Sequence, residues 1–169
     1  GRRVPEKGCH YLLDAYARLN TDMELVVAGG TSFSTEYVES LHGKGGDRVR
    51  FLGYVYGDML DELYSNAGIF VLPSDIEGLP IALLEAMSFG NCCLTSDIPE
   101  NLEVIGDCGA TFRHGDVDDL TEKLSELIVN PDRCHAIGDR ARRHVLETYD
   151  WDGVTLHTEA IYYSLLRGF

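Results

Sequence analysis

The stretch Ile69-Phe70-Val71-Leu72-Pro73-Ser74-Asp75-Ile76-Glu77-Gly78-Leu79-Pro80-Ile81-Ala82-Leu83-Leu84-Glu85-Ala86-Met87 decides the fold. Ile69–Leu72 is a short apolar run of the kind that forms a strand buried on both faces, and Pro73 stops it. Gly78 and Pro80 mark a loop, and residues 80–89 read as a helix closed by Gly90. A strand end opening into a helix start is a place for phosphate, because the first helical N–H groups are free and carry the positive end of the dipole. Glu85, inside that helix, can face the same crevice and accept the two hydroxyl hydrogen bonds that a ribose supplies. Glu77, in the loop ahead of the helix, can accept from a polar ligand lying beyond the phosphates. Leu79, Leu83 and Ala86 are expected to pack on the sheet.

The flanking sequence repeats the same alternation. Cys9, Leu12, Leu13 and Tyr16 recur on one face of a helix over 8–19. Met23–Ala28 is a strand ended by Gly29-Gly30, and 34–42 is a helix ended by Gly43–Gly46. Strands are expected at Arg48–Leu52, Cys92–Thr95 and 110–112, with a helix over Asp58–Asn66. Asp116 caps a helix through Ile128, Pro131 opens another through about Glu147, and a last helix covers Asp152–Leu166. The reading is one α/β domain over 1–169, a Rossmann-like doubly wound parallel sheet with helices on both faces and a C-terminal helical tail over 131–169. Such sheets bind ligands at the carboxyl ends of their strands, which directs attention to Gly29-Gly30, Gly53-Tyr54 and Pro73–Glu77. The chain opens on a loop, Gly1-Arg2-Arg3, so a first strand is expected upstream of it.

Composition removes whole classes of function. The 169 residues are 44% hydrophobic and 25% charged, which argues against disorder. Net charge is −14, from 28 acidic and 14 basic residues, so a nucleic-acid partner is not expected. No apolar run reaches the ~20 residues of a membrane helix, and no signal peptide is visible. Cys9, Cys92, Cys93, Cys108 and Cys134 form no Cys-x-x-Cys pair and read as free thiols in a reducing, cytoplasmic compartment. The six histidines lack metal-ligand spacing, there is no Asp-x-Asp, and neither a Gly-x-Ser-x-Gly elbow nor a Gly-x-Gly-x-x-Gly fingerprint occurs.

The second charged feature is Gly1-Arg2-Arg3-Val4-Pro5-Glu6-Lys7-Gly8. If this loop lies at the strand-end crevice, Arg2 and Lys7 converge on a diphosphate. Together with the Glu77/Glu85 pair and Thr95-Ser96-Asp97-Ile98-Pro99-Glu100-Asn101-Leu102, this loop resembles the C-terminal half of a retaining glycosyltransferase of GT-B architecture, of the glycosyl transferases group 1 or family 4 type. The likeness runs through Tyr149-Asp150-Trp151.

The resemblance implies that Arg2 and Lys7 hold the donor diphosphate, that Glu77 contacts the transferred sugar and that Glu85 holds the ribose. It implies that Gly78, Leu79 and Ile81 offer backbone N–H groups, that Tyr54 lies near the base, and that Gly29 and Gly30 lie near the nucleoside. Arg2, Lys7 and Glu77 are then the catalytic residues, no metal or other cofactor is expected, and the partner is a nucleoside-diphosphate sugar. An acceptor-binding N-terminal domain belongs upstream and makes any contact with the inner membrane face; the chain alone is expected to be nearly inactive. The chain departs from the frequent Glu-Gly-Phe-Gly in reading Glu77-Gly78-Leu79-Pro80, and Pro80 has no N–H to give. Arg3 stands where an aliphatic residue is usual and needs water or an acid as partner. The implied activity is hexosyl transfer to an acceptor hydroxyl in polysaccharide, lipopolysaccharide or glycolipid synthesis; the alternative is a non-catalytic nucleotide-sugar-binding or regulatory module of the same fold.

Overall fold

The computed structural model describes residues 1–30 and 35–166. Residue 34 of the expected second helix, and 167–169 of the expected tail, lie outside the described residues. Strands and helices alternate from α1 (Cys9–Tyr16), β1 (Leu25–Ala28), α2 (Thr35–Lys44), β2 (Val49–Gly53) and α3 (Asp58–Asn66) to β3 (Ile69–Leu72) and α4 (Ile81–Ser88). They continue through β4 (Cys92–Ser96), α5 (Pro99–Ile105), β5 (Ala110–Phe112), α6 (Val117–Ile128), α7 (Pro131–Thr148) and α8 (Trp151–Leu166).

Every strand pairing among the described residues is parallel. The strands fall into two ladders, β1–β2 and β3–β4–β5. The segment 1–8 laces the carboxyl ends of β1 and β3: the Gly1 amine donates to Ala28 O (3.1 Å), Arg3 N to Gly30 O (2.8 Å) and Asp75 N to Glu6 O (2.8 Å).

Side-chain alternation explains why both faces need helices. Cys92 and Leu94 of β4, with Ile69 and Val71 of β3, join Leu12 and Ala15 of α1 and Leu120 and Leu124 of α6. Cys93, with Phe70 and Leu72, points the other way, to Leu83, Ala86 and Met87 of α4 and Val104 and Ile105 of α5. All five residues of β4 are buried, as a parallel strand covered on both sides must be. Helix α7 contributes Cys134 and Ile137 to the first cluster and Ala141 and Val145 to the second. It is therefore core rather than tail, whereas α8 has no buried residue.

Several expectations shift at their edges. Helix α1 is shorter than 8–19, and β1 begins at Leu25 rather than Met23. Asp116 caps α6 as read, its side chain accepting from Asp119 N at 2.9 Å. Helix α5 is absent from the periodicity reading, because seven residues are under two turns and show no repeat; Pro99 at its first position was the available signal. Helix α4 starts at Ile81, with Pro80 as its N-cap. Leu79 consequently lies ahead of the helix and is 55% exposed, so the expectation that it packs on the sheet fails, while Leu83 and Ala86 are fully buried. Four of the cysteines are buried free thiols, and Cys108 is only half-buried.

Candidate functional site

Segment 5–8 is a single 3-10 turn, Pro5–Lys7, closed by Gly8 in the left-handed region at φ +64°. Glycine is required at position 8, because a Cβ there would sit 2.7 Å from the Pro73 carbonyl carbon and overlap its oxygen. That approach lays Lys7 across the end of β3. Lys7 Nζ lies 2.8 Å from Glu77 Oε2, with the side chains 22% and 11% exposed. Lys7 Nζ also donates to Ile76 O at 3.2 Å.

Glu77 is held from its other side as well. Ser74, fully buried, donates its hydroxyl to Glu77 Oε1 at 2.6 Å. Ser96 at the end of β4 donates to Ser74 O at 2.6 Å, and Asn101 Nδ2 donates to Ser96 O at 3.2 Å. A buried chain of hydrogen bonds therefore runs from α5 through two strand ends to the loop carboxylate, with Asn101 Oδ1 left without a partner among the described residues. Beside it, His114 Nε2 and Asp75 Oδ1 are 2.7 Å apart, and His114 N donates to Asp97 Oδ1 at 2.7 Å.

Glu85 is one of the exposed residues of α4. Its Oε2 accepts from the Tyr64 hydroxyl of α3 at 3.0 Å. Burial, reinforced by the Glu85 charge, pushes the Tyr64 phenol well above its ordinary value, so it stays a donor. Arg2 is exposed and forms no ion pair among the described residues.

The backbone donors divide. The Ile81 amide is engaged with Leu79 O at 2.9 Å, and the Leu83 amide with Pro80 O at 2.9 Å. The amides of Gly78 and Leu79 have no protein acceptor among the described residues. On the β1–β2 side, Gly29 N donates to Gly53 O at 2.6 Å, and Gly29 takes φ +138° where any Cβ would overlap Gly1 O. Gly30 lies against the Tyr54 ring. Tyr54 and Tyr56 stack at 6.2 Å with 9° between their planes, and both are exposed, at 56% and 73%. Arg3 forms no ion pair with an acid among the described residues: its guanidinium lies 5.8 Å over the Phe51 ring and 3.3 Å from His42 Nε2.

Lys7 and Glu77 thus meet at the carboxyl end of β3, Gly29, Gly30 and Tyr54 lie together at the ends of β1 and β2, and Glu85 pairs with Tyr64 of α3. Sequence reasoning missed Ser74, Ser96, Asn101 and Tyr64, which act on the carboxylates rather than on the crevice. It also missed Tyr56, although its spacing of two from Tyr54 was a signal.

This is an α/β domain with a charged strand-to-helix mouth, the architecture that seats nucleotides. The chain belongs to the glycosyl transferases group 1 family, whose model matches residues 1–144. It is 31% identical over 166 residues to MMP alpha-(1->4)-mannosyltransferase of Mycolicibacterium hassiacum, covering 94% of this chain and 40% of that protein. It is 31% identical over 163 residues to N-acetyl-alpha-D-glucosaminyl L-malate synthase of Bacillus anthracis, covering 92% of this chain and 42% of that protein. The chain thus spans less than half the length of these relatives. Its fold matches sucrose-phosphate synthase of Thermosynechococcus elongatus with a TM-score of 0.90 at 23% identity, over 100% of this chain and 45% of that one. It also matches Anabaena HepE, solved in complex with UDP and glucose, with a TM-score of 0.91 at 21% identity, over 97% of this chain and 47% of that one. At these identities the likeness is one of fold. No described helix is long and apolar enough to cross a membrane.

Proposed function

We propose that this chain is the donor-binding half of a retaining hexosyltransferase that moves a sugar from a nucleoside diphosphate to an acceptor hydroxyl. The observation that carries the reading is the Lys7–Glu77 pair at 2.8 Å, set at the end of β3 with Glu85 one helix turn inside α4. Glu77 pre-places the Lys7 ammonium at the mouth. The free amides of Gly78 and Leu79 and the start of α4 add positive potential there. Charge develops on the diphosphate oxygen as its bond to the anomeric carbon breaks, and donors already in place for that charge are the largest catalytic term available. Arg2 and Lys7 supply this charge without a metal. In the retaining course the leaving phosphate takes the acceptor proton, attack comes from the same face, and no enzyme-bound sugar forms. Glu77 orients sugar hydroxyls, Glu85 the ribose, and the Tyr54–Tyr56 rings flank the base. The acceptor is bound by the rest of the polypeptide, in the cytoplasm.

Isothermal titration of UDP, GDP, UDP-glucose and free uridine into the chain tests the donor reading. Glu85→Ala removes a charged acceptor and weakens nucleotide and nucleoside alike, by about 1.5–3 kcal/mol. Lys7→Met weakens the diphosphates but not uridine. Equal losses for both ligand types in Lys7→Met, or an unchanged affinity in Glu85→Ala, would remove the assigned roles. With the acceptor half restored, NMR of the product reads the anomer; an inverted product refutes retention.

A further inference from the structure

A second cavity lies away from this mouth, at the opposite end of the sheet. It has a volume of about 430 Å³ and is lined by Ala110 and Thr111 of β5, Lys123 of α6, and Arg133, Ile137 and Arg140 of α7, among others. Arg133, Ile137 and Arg140 recur at i, i+4 and i+7, which places them on one face of α7. Ile137 is 4% exposed and anchors that face in the core, so the two arginines flank a fixed floor.

The charge here is out of keeping with the rest of the molecule. The chain carries 28 acidic and 14 basic residues, yet three cations and no carboxylate line this cavity. Glu126 stands just outside and is shared, 4.0 Å from Lys123 and 3.5 Å from Arg133. One carboxylate offsets two of the cations only in part, and Arg140 has no carboxylate within 4.0 Å among the described residues. The third wall adds polar groups of a different kind. β5 is the outer strand of its ladder, so its outward peptide groups have no strand partner among the described residues. Cations on two helices and the outer edge of β5 border one space, with Ala110 and Ile137 packed in the core cluster beneath.

We propose that this cavity is a binding site for a small, multiply charged anion, a phosphate ester or polycarboxylate. The volume lies within the range of small-molecule sites, about 300–1,000 Å³, and is too confined for a folded partner. Two guanidinium forks on one helix face match the bidentate geometry of phosphate and carboxylate oxygens. Because the cavity borders the start of β5, and the donor mouth the ends of β1 to β3, the two sites are separate and neither reading depends on the other.

The test is an NMR titration of the isotope-labelled chain with inorganic pyrophosphate and, separately, citrate. Saturable shifts are expected at the amides of 109–111, Lys123 and Arg140 with at least one probe. R133Q/R140Q weakens that binding by about tenfold or more, the loss expected when charged donors are removed, while K7Q leaves it unchanged. Both arginines are exposed, so the double variant keeps its fold. Saturation by pyrophosphate alone assigns phosphate, by citrate alone carboxylate, and by both a site selective for charge. Linear shifts, shifts confined to residues 74–85, or unaltered affinity in R133Q/R140Q overturn the proposal.

Discussion

Replacing Gly8 by alanine should unlatch the loop that carries Lys7. The residue sits at φ +64°, and its Cβ would overlap the Pro73 carbonyl oxygen and lie 2.7 Å from the carbonyl carbon. The left-handed conformation alone costs an L-residue about 1–2 kcal/mol. The overlap is with backbone at the end of a paired strand, which cannot swing aside as a side chain would, and overpacking of this kind adds about 1–3 kcal/mol. A loss of about 3 kcal/mol in a domain of this length lowers the melting temperature by about 6–12 °C. If the loop relieves the clash by lifting, the Glu6 O–Asp75 N bond and the Lys7–Glu77 pair part together, and diphosphate affinity falls with stability. Calorimetry gives the first quantity and titration with UDP the second. Gly43→Ala is the control: it lies in α2 with nothing within 4 Å of its Cβ, and it should stabilise by about 0.5–1 kcal/mol through helix propensity. A Gly8→Ala melting point within a degree of the parent, with UDP affinity retained, would refute the argument that this glycine sets the height of the loop.

Stability should also fall on the alkaline side. Burial pushes the Cys9 thiol up to about 11, Cys93 to about 12 and the Tyr37 phenol to about 12, and raises Tyr64 further. Between the ordinary values of 9.0 for thiols and 10.0 for phenols and these raised ones, the folded state binds more protons than the unfolded. Their contribution is therefore complete below about pH 9 and lost as pH climbs toward about 12, so urea midpoints should drop between about pH 9 and pH 10.5; a flat profile contradicts it. Leu83→Ala empties a fully buried position between α4 and β4 and should cost about 2–5 kcal/mol in the same urea assay. A loss under about 1 kcal/mol would mean that the start of α4 is not anchored by this contact.

The apolar run of β3, stopped by Pro73, and the helical stripes of α1 and α6 were legible from the chain because each is a local pattern. The same holds for the Asp116 cap and for the strand–loop–helix unit around Glu77, where chemistry and spacing are local. Helix α5 was too short to show a period, and α7 looked like tail because its two halves bury against opposite faces of the sheet. Two partners of the carboxylates come from distant stretches, Lys7 for Glu77 and Tyr64 for Glu85, while Ser74 reaches Glu77 from within the same loop. Sixty-nine or seventy positions separate Lys7 from its acceptors, Ile76 O and Glu77, and no pattern along a chain encodes a 2.8 Å contact across that gap. Residue types thus declared which charges the molecule would use. Where those charges meet was decided by parallel strands ending side by side, because only packing brings loops from separate units to one edge.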